Sequence, residues 1–432
     1  MLNRLKKKLG LVVAMAVLGV VMAACPASAV IQGVTGTAFN FTAKPGYIYG
    51  GDGVSIYIWG FANGTGVVQY PGPTLLLHEG DNVSITLTNS LTTNVSMVFP
   101  GMSNVAVTPG GSGVPGIITT ECPPAGTVTY TFTAANPGTY YYQSGTDPAL
   151  QVEMGLFGAI VVYPTGSFPA SPGVLSQPGH AYNDTQGDSA YDREYLLIVS
   201  EMDARIHRAA ERGIAPDTNG FFSVYWFYNG RNMPDTMGAA GDPMLPTQPY
   251  NALFQMHPGE KVLYRIVGIG RELHPVHPHG NHTNLIAQDG RLLSSGPANG
   301  ADLRKRLFTI PTTPGGTYDT IFEWTGANVG WDIYGHAPGD PMQPNEFAAD
   351  HGKPFPTPIP HQQDLMPGQL YSGSPFLGGS GALPPGEGGF NPTGAYMHMV
   401  HDHVEKELCN DGIFPGGAMT IMAIEHPSVP IP

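Results

Sequence analysis

The sequence predicts an all-β protein folded as two β-sandwich domains. Three observations carry that reading. The chain holds 58 glycines and 42 prolines in 432 residues, a density of turn formers that no helical bundle or coiled coil tolerates but that many short strands require. Apolar and polar residues alternate in short runs such as Val83-Ser84-Ile85-Thr86-Leu87, the period of a half-buried strand. The chain also repeats itself at an offset of 179 residues, so whatever the first half forms, the second half forms again.

Composition narrows the function classes. Charged residues make up 12% of the chain and the formal net charge is −14, which leaves no basic surface to neutralise phosphates and excludes nucleic acid as an expected partner. At the N-terminus, Arg4, Lys6, Lys7 and Lys8 precede an apolar run from Leu11 to Ala24. A basic region, an apolar region and small residues after it read as a secretory signal peptide over residues 1–29. Two processing signals compete: Ala27-Ser28-Ala29 fits simple cleavage, and Met22-Ala23-Ala24-Cys25 fits a lipobox, which makes Cys25 a candidate for lipidation. Either way the mature chain is expected outside the cytoplasm, in the periplasm, on the outer surface or secreted. Its charge would be about −18, and no later stretch is apolar for long enough to span a membrane. In an oxidising compartment Cys122 and Cys409 become candidates for a disulfide.

Taken in order, residues 31–165 form the first sandwich, a polar linker follows near 166–189, and residues 190–432 form the second. The repeat pairs Leu77-His78-Glu79-Gly80-Asp81-Asn82-Val83 with Met256-His257-Pro258-Gly259-Glu260-Lys261-Val262. Each is a turn that opens an alternating strand, the second being Val262-Leu263-Tyr264-Arg265-Ile266. At the same offset Val98-Phe99-Pro100-Gly101 falls on His277-Pro278-His279-Gly280, and Gly138 to Gly145 pairs, with two extra residues in the later copy, with Gly394 to His403. Both copies end in a glycine-rich turn and an apolar strand. A short helix is predicted over Asp203–Gly213. A Gly/Pro-rich stretch at about 335–392 enlarges the second domain and is too long for an ordinary loop.

The histidines point to metal chemistry. In His274-Pro275-Val276-His277-Pro278-His279-Gly280, residues 277 and 279 stand at i and i+2 on an extended segment, so both rings project from one face, as a chelating pair must. His401-Asp402-His403 repeats the spacing. Imidazole pairs suit copper or zinc, although a single such pair is more often a surface hydrogen-bonder than a ligand. His78 and His257 open equivalent turns and read as architectural. His398 is a second-choice ligand. His180, His207, His336, His351, His361 and His426 stand in polar or Pro/Gly-rich contexts where solvent exposure is the default. Tyr140-Tyr141-Tyr142, Trp324, Trp331, Met419 and Met422 read as core.

HPVHPHG and HDH resemble the third and fourth copper motifs of the multicopper oxidases, H-P-x-H-x-H-G and H-C-H. YPGPTLLLHEGD and GTYYYQSGTDPALQVEMGLFGAIVVYP resemble the first cupredoxin domain of the same family, and the two-domain layout is similar to that of small laccases and copper nitrite reductases. The resemblance covers nearly all of the mature chain and implies two cupredoxin-like Greek-key sandwiches. It also implies oxidation of a substrate at a blue type 1 copper, with electrons passing through a cysteine ligand to a trinuclear centre held by eight histidines. Carried over position by position, it makes His277, His279, His401 and His403 trinuclear ligands and His274 a type 1 ligand. Val98, Pro100, Gln143 and Gly145 stand where the first domain should supply its own four. Asp402 replaces the bridging cysteine and Glu407 falls where the next type 1 histidine belongs, so neither a blue centre nor laccase-type turnover is expected.

Three readings follow. The favoured one is an exported copper-binding protein that holds one ion, copper or zinc, at His277, His279, His401 and His403. In small laccases the corresponding half-centres meet between subunits, so a homotrimer or another homo-oligomer with an interfacial site is expected. The second reading is a non-catalytic cupredoxin scaffold for extracellular assembly or binding. The third is a mononuclear metal enzyme with a remodelled site, in which His274, Asp402 and Glu407 hold a harder ion such as iron or manganese.

Overall fold

Strand-forming alternation and the glycine and proline turns between the runs are realised throughout. The computed structural model describes residues 31–108, 111–165, 179–326 and 396–425, with scattered positions between 332 and 352 and between 427 and 431. The signal region with Cys25, the first part of the linker and most of the 335–392 stretch lie outside the described residues.

In the first half the strands are β1 (Val34–Thr35), β2 (Ala38–Tyr49), β3 (Ser55–Asn63), β4 (Val68–Gln69) and β5 (Leu75–His78). They continue as β6 (Asn82–Asn89), β7 (Ser103–Val107), β8 (Thr127–Thr133), β9 (Gly138–Gln143) and β10 (Phe157–Tyr163). The second half opens with β11 (Gly179–His180), β12 (Ala190–Tyr191), β13 (Arg193–Met202), β14 (Tyr225–Tyr228) and β15 (Phe254–Met256). Then come β16 (Lys261–Gly268), β17 (His274–Pro278), β18 (Thr283–Gln288), β19 (Arg291–Leu292) and β20 (Lys305–Leu307). The last are β21 (Ile310–Thr312), β22 (Thr317–Glu323), β23 (Tyr396–Asp402) and β24 (Met419–Ile424).

The molecule is two cupredoxin-like β-sandwiches. The first packs sheet β1-β5-β10-β9 against sheet β4-β3-β2-β6-β8-β7; the second packs β15-β24-β23-β17-β21 against β14-β13-β16-β22-β18-β19, with β20 also on β18. The repeat is visible in the topology: β2 runs parallel to β6 as β13 does to β16, and β5 parallel to β10 as β15 does to β24. Crossovers of this kind, between sheets, are the Greek-key pattern. The equivalent turns close alike. The backbone N–H of His78 donates to Asp81 Oδ2 at 2.8 Å, and that of His257 to Glu260 Oε2 at 2.7 Å, which accounts for both histidines architecturally.

Each sandwich has its own core, one around Phe41, Ile85, Tyr130, Tyr142 and Ile160, the other around Leu197, Phe254, Tyr264, Val276, Phe322 and Met422. A third cluster joins them, with Ile58, Tyr70 and Phe157 meeting Ile198, Phe227 and Val267. Beside it lies a buried ionic lock. Arg265 is fully buried, 2.8 Å from Glu194 and 3.9 Å from Asp319 across the β16–β22 ladder. Thr139 and Tyr163 of the first sandwich complete it: Thr139 Oγ1 donates to Asp319 at 2.5 Å and Tyr163 donates to Glu194 at 2.6 Å. Buried charges persist where they are paired and hydrogen-bonded in this way.

Two expectations need correcting. Cys122 and Cys409 are both free: Cys122 is buried in the first sandwich, its backbone paired with Val95, while Cys409 follows a short 3-10 turn in the second. His207 is not at the surface. It lies in the predicted helix, observed as Ala204–Glu211 and capped by Asp203, and is 1% exposed, with Nδ1 2.5 Å from Tyr57 O. The described end of the linker is more than a tether, since Ala181 and Tyr182 join Tyr191 of β12 in packing on Leu263, Ile286 and Ile321.

Candidate metal centre

Strands β17 and β23 are antiparallel neighbours, and their register puts His277 opposite His401 and Val276 opposite Asp402. Side chains alternate across a strand. One face therefore receives His274, Val276 and Asp402, and the other receives His277, His279, His401 and His403. Main-chain bonds carry the ladder past both strand ends: His279 N–H donates to Met399 O at 2.9 Å, and His403 N–H to Pro275 O at 2.9 Å. The two H-x-H segments are thereby held as rigid extended backbone on both sides of the pair.

The four imidazoles converge. Ring centroids lie 4.8 Å apart for His277–His279, 4.7 Å for His277–His403, 5.1 Å for His279–His401 and 5.4 Å for His401–His403. One donor atom each from His277, His401 and His403 falls within a 4.8 Å sphere of the others. His279 Nε2 and His401 Nε2 are 3.1 Å apart. The outward nitrogens are spent on acceptors: His277 Nδ1 donates to Phe308 O at 2.5 Å, with Thr309 Oγ1 at 3.0 Å, and His401 Nδ1 donates to Asp402 O at 2.7 Å. A histidine whose Nδ1–H is engaged by a carbonyl presents an unprotonated Nε2, which is the ligating form. Burial lowers the pKa of His277 and of His401; burial and the neighbouring rings push His279 down to about 4. His401 is buried, whereas His403 is exposed, so the cluster opens to the surface on that side, next to exposed Phe308.

The equivalent place in the first sandwich is closed. Val98 pairs with Gln143 just as His277 pairs with His401, so the structure aligns the two sites independently of the sequence offset. Val98, Pro100 and Gly145 offer no side-chain donor. A Cβ on Gly145 would meet Val98 Cγ1 at 2.7 Å and Ser96 Oγ at 3.2 Å, so the space that imidazoles occupy in the second sandwich is filled here.

Behind the His277 cluster, on the inner face, lies a second polar group. His274 is fully buried, its Nδ1 2.9 Å from both Asp402 Oδ2 and Glu407 Oε2 and its Nε2 2.9 Å from Glu201 Oε2. Both ring nitrogens thus face carboxylates. Although burial opposes it, hydrogen bonds that the ring donates to the three carboxyl groups raise the His274 pKa well above the ordinary value. Burial, with Asp402 alongside, pushes Glu407 up to about 8. The copper motifs do not include Glu201. Its signal was there, a lone carboxylate in the apolar run Leu196-Leu197-Ile198-Val199-Ser200-Glu201-Met202. Gly270, at φ +108°, makes room for it: a Cβ there would lie 2.2 Å from Glu201 Oε2. The backbone N–H groups of Arg271 and Glu272 then donate to Glu201 Oε1. Met422 is core, as its sequence context implies: it is fully buried and its sulfur accepts from Tyr264 OH at 2.8 Å.

Residues 59–167 match the family model of the multicopper oxidases. Laccase 1 of Metarhizium robertsii is 32% identical over 132 residues, 30% of this chain and 21% of that protein. Laccase-1 of Emericella nidulans is 38% identical over 141 residues, 33% of this chain and 22% of that protein. The match thus spans about a fifth of the curated relatives' length, and the family model falls on the sandwich that lacks the imidazoles. Among solved structures, the blue copper oxidase from Nitrosomonas europaea superposes with a TM-score of 0.55 at 18% identity, covering 90% of this chain and 86% of that one. The multicopper oxidase mgLAC gives 0.55 at 20% identity, with 92% and 88% covered. Identities so low show the cupredoxin fold. The family implies copper, and the residues at hand decide which of its sites can hold it.

Proposed function

Because the chain is a multicopper-oxidase-like protein, we propose that it works outside the cytoplasm as a copper-binding protein with one ion held by His277, His279, His401 and His403. The observation that carries this is the convergence of four imidazoles, two of which, His277 and His401, have their outward nitrogens fixed by Phe308 O and Asp402 O. Four nitrogen donors suit a tetragonal Cu(II) and also satisfy zinc. Neither family centre fits as a whole. A blue site requires a thiolate, and Asp402 is paired with His274 in its place. A trinuclear centre requires imidazoles from the first sandwich, where Val98, Pro100, Gln143 and Gly145 stand instead. Even a neighbouring subunit's first sandwich, laid over exposed His403 as in a homotrimer or another homo-oligomer, would add no imidazole, so the site stays mononuclear.

Copper in such a site supplies a one-electron couple and, where three histidines bind, an open position for a small ligand. The chain's own contribution is positional. Phe308 O and Asp402 O hold two rings in the ligating tautomer, the β17–β23 ladder fixes the spacing, and the exposed side at His403 admits the ion. Without the cysteine route between two centres, oxidation of a bulky phenol in the manner of a laccase is not expected. Copper handling or small-molecule redox work at the single ion is.

His274, Asp402, Glu407 and Glu201 are read as an ion-paired plug in the position of a type 1 site. An imidazolium surrounded by carboxylates replaces the metal cation there. The alternative, a His-and-carboxylate site for iron or manganese, requires His274 to release a proton that three carboxylates hold.

Metal analysis of the purified full chain is the test. About one copper per chain, no intense blue band, and loss of that copper in His277→Ala plus His401→Ala are expected. A blue thiolate band would overturn the proposal, and a folded chain that takes up no metal would favour a scaffold role.

A further inference from the structure

Pro/Gly-rich surroundings assign His336 and His351 to solvent by default. The structure buries the first of them: the His336 side chain is 4% exposed, beside Asp332 at 3% and Glu346 at 1%. A carboxylate placed so deeply needs compensation by charge or hydrogen bonds, and here two imidazoles supply it. His336 Nε2 lies 2.9 Å from Glu346 Oε2, and His351 Nδ1 lies 2.7 Å from Glu346 Oε1. The two rings stand 4.2 Å apart, tilted by 55°. One donor atom from each of the three residues lies within 4.8 Å of the others.

The outer nitrogens give the arrangement its meaning. His336 Nδ1 is 2.9 and 3.0 Å from the two carboxylate oxygens of Asp332, which also accepts the His336 backbone N–H at 2.5 Å. His351 Nε2 donates to Asp340 O at 3.0 Å. An imidazole that donates outward turns a lone pair inward, and a carboxylate or carbonyl behind each ring is the usual support of a metal-ligating histidine. A simple ion pair would need one protonated ring. Two charged rings at this distance repel; without a metal a proton must lie in the imidazole–carboxylate contacts at 2.7 and 2.9 Å, and one divalent cation would take the place of such protons.

We propose that His336, Glu346 and His351 form a second metal site that takes one divalent cation of the zinc class, with Asp332 and Asp340 O orienting the rings. Two imidazole nitrogens and a carboxylate oxygen fill three tetrahedral positions. Water completes the fourth beside His351, whose side chain is 25% exposed. No residue is shared with the His277 cluster, so this site stands or falls separately from the copper assignment.

The test uses the full chain, stripped by chelator and titrated with Zn2+ alone by calorimetry, with Co2+ absorption as a geometric probe. In the His277→Ala plus His401→Ala background, one zinc per chain and a tetrahedral cobalt spectrum are expected. Adding His351→Ala or Glu346→Gln should abolish both with the near-UV circular dichroism unchanged. In the parent, the same substitutions should lower zinc uptake by one equivalent. His351 lies at the surface and Glu346→Gln preserves volume, so folding is kept. No zinc in the double-variant background, or zinc uptake that survives both His351→Ala and Glu346→Gln, overturns the proposal.

Discussion

Replacing His274 by leucine tests whether the inner face of β17 holds an ion-paired plug or a metal. In the structure the ring is fully buried and lies 2.9 Å from each of three carboxylates, those of Asp402, Glu407 and Glu201. With Glu407 raised to about 8, its carboxyl is mostly protonated at neutral pH. The imidazolium then faces Asp402 and Glu201 as the charged partners. Leucine removes the cation and leaves those carboxylates buried without it. Breaking a buried pair from one side costs about 3–5 kcal/mol, which in a unit of this size corresponds to a Tm lower by about 6–20 °C. Adding Glu201→Gln removes one of the stranded charges and should recover part of the loss. Thermal unfolding of the metal-stripped chain reads both changes, and metal analysis before stripping should show no equivalent lost on His274→Leu. A shift under about 2 °C, close to the effect of a neutral surface change, or one metal equivalent missing, would refute the plug.

Three further outcomes follow from the packing. Arg265→Met should destabilise the chain by about 3–5 kcal/mol, because Glu194 and Asp319 lose their buried cation; denaturant unfolding reads it, and adding Glu194→Gln with Asp319→Asn should restore much of the loss. Glu260 is held down to about 2 by hydrogen bonds from His257 and Arg193 against the opposing effect of burial. A depressed carboxyl contributes stability above its unfolded value, near 4.5, and loses it as the pH falls toward 2. Glu260→Gln should therefore cost up to about 3 kcal/mol at pH 7 and almost nothing near pH 2, by denaturant unfolding at the two values. Gly145→Ala drives a methyl into Val98 and should cost about 1–3 kcal/mol, as overpacking does, with relief from added Val98→Ala; a neutral Gly145→Ala would mean that the first sandwich has not filled its old site.

How much of this the sequence disclosed depends on the range of each interaction. The two turns at His78 and His257 were legible because their partners, Asp81 and Glu260, stand three residues away in each copy. The convergence of His277, His279, His401 and His403 was legible through the repeat and the i, i+2 spacing, since period alone assigns a strand face. What the sequence did not disclose is what lies across a sheet. Glu201 reaches His274 from β13; local pattern marks it as a lone carboxylate in an apolar run but does not say which residue it meets. The Arg265 lock joins residues from both halves of the chain. His336 and His351 sit in a Gly/Pro-rich stretch whose composition says solvent, yet Asp332 and Glu346 gather around them. The cysteines show the converse error: oxidising surroundings suggested a bond between Cys122 and Cys409, but they belong to different sandwiches.

Electron paramagnetic resonance of the chain loaded with Cu(II) tests the copper assignment most directly. In the His351→Ala chain, where only the His277 cluster can take the ion, a single axial signal with splitting from three or four imidazole nitrogens, of tetragonal rather than thiolate character, is expected, and it should vanish on adding His277→Ala plus His401→Ala. The same signal persisting after that addition, or a thiolate-type signal in the parent, would contradict the account.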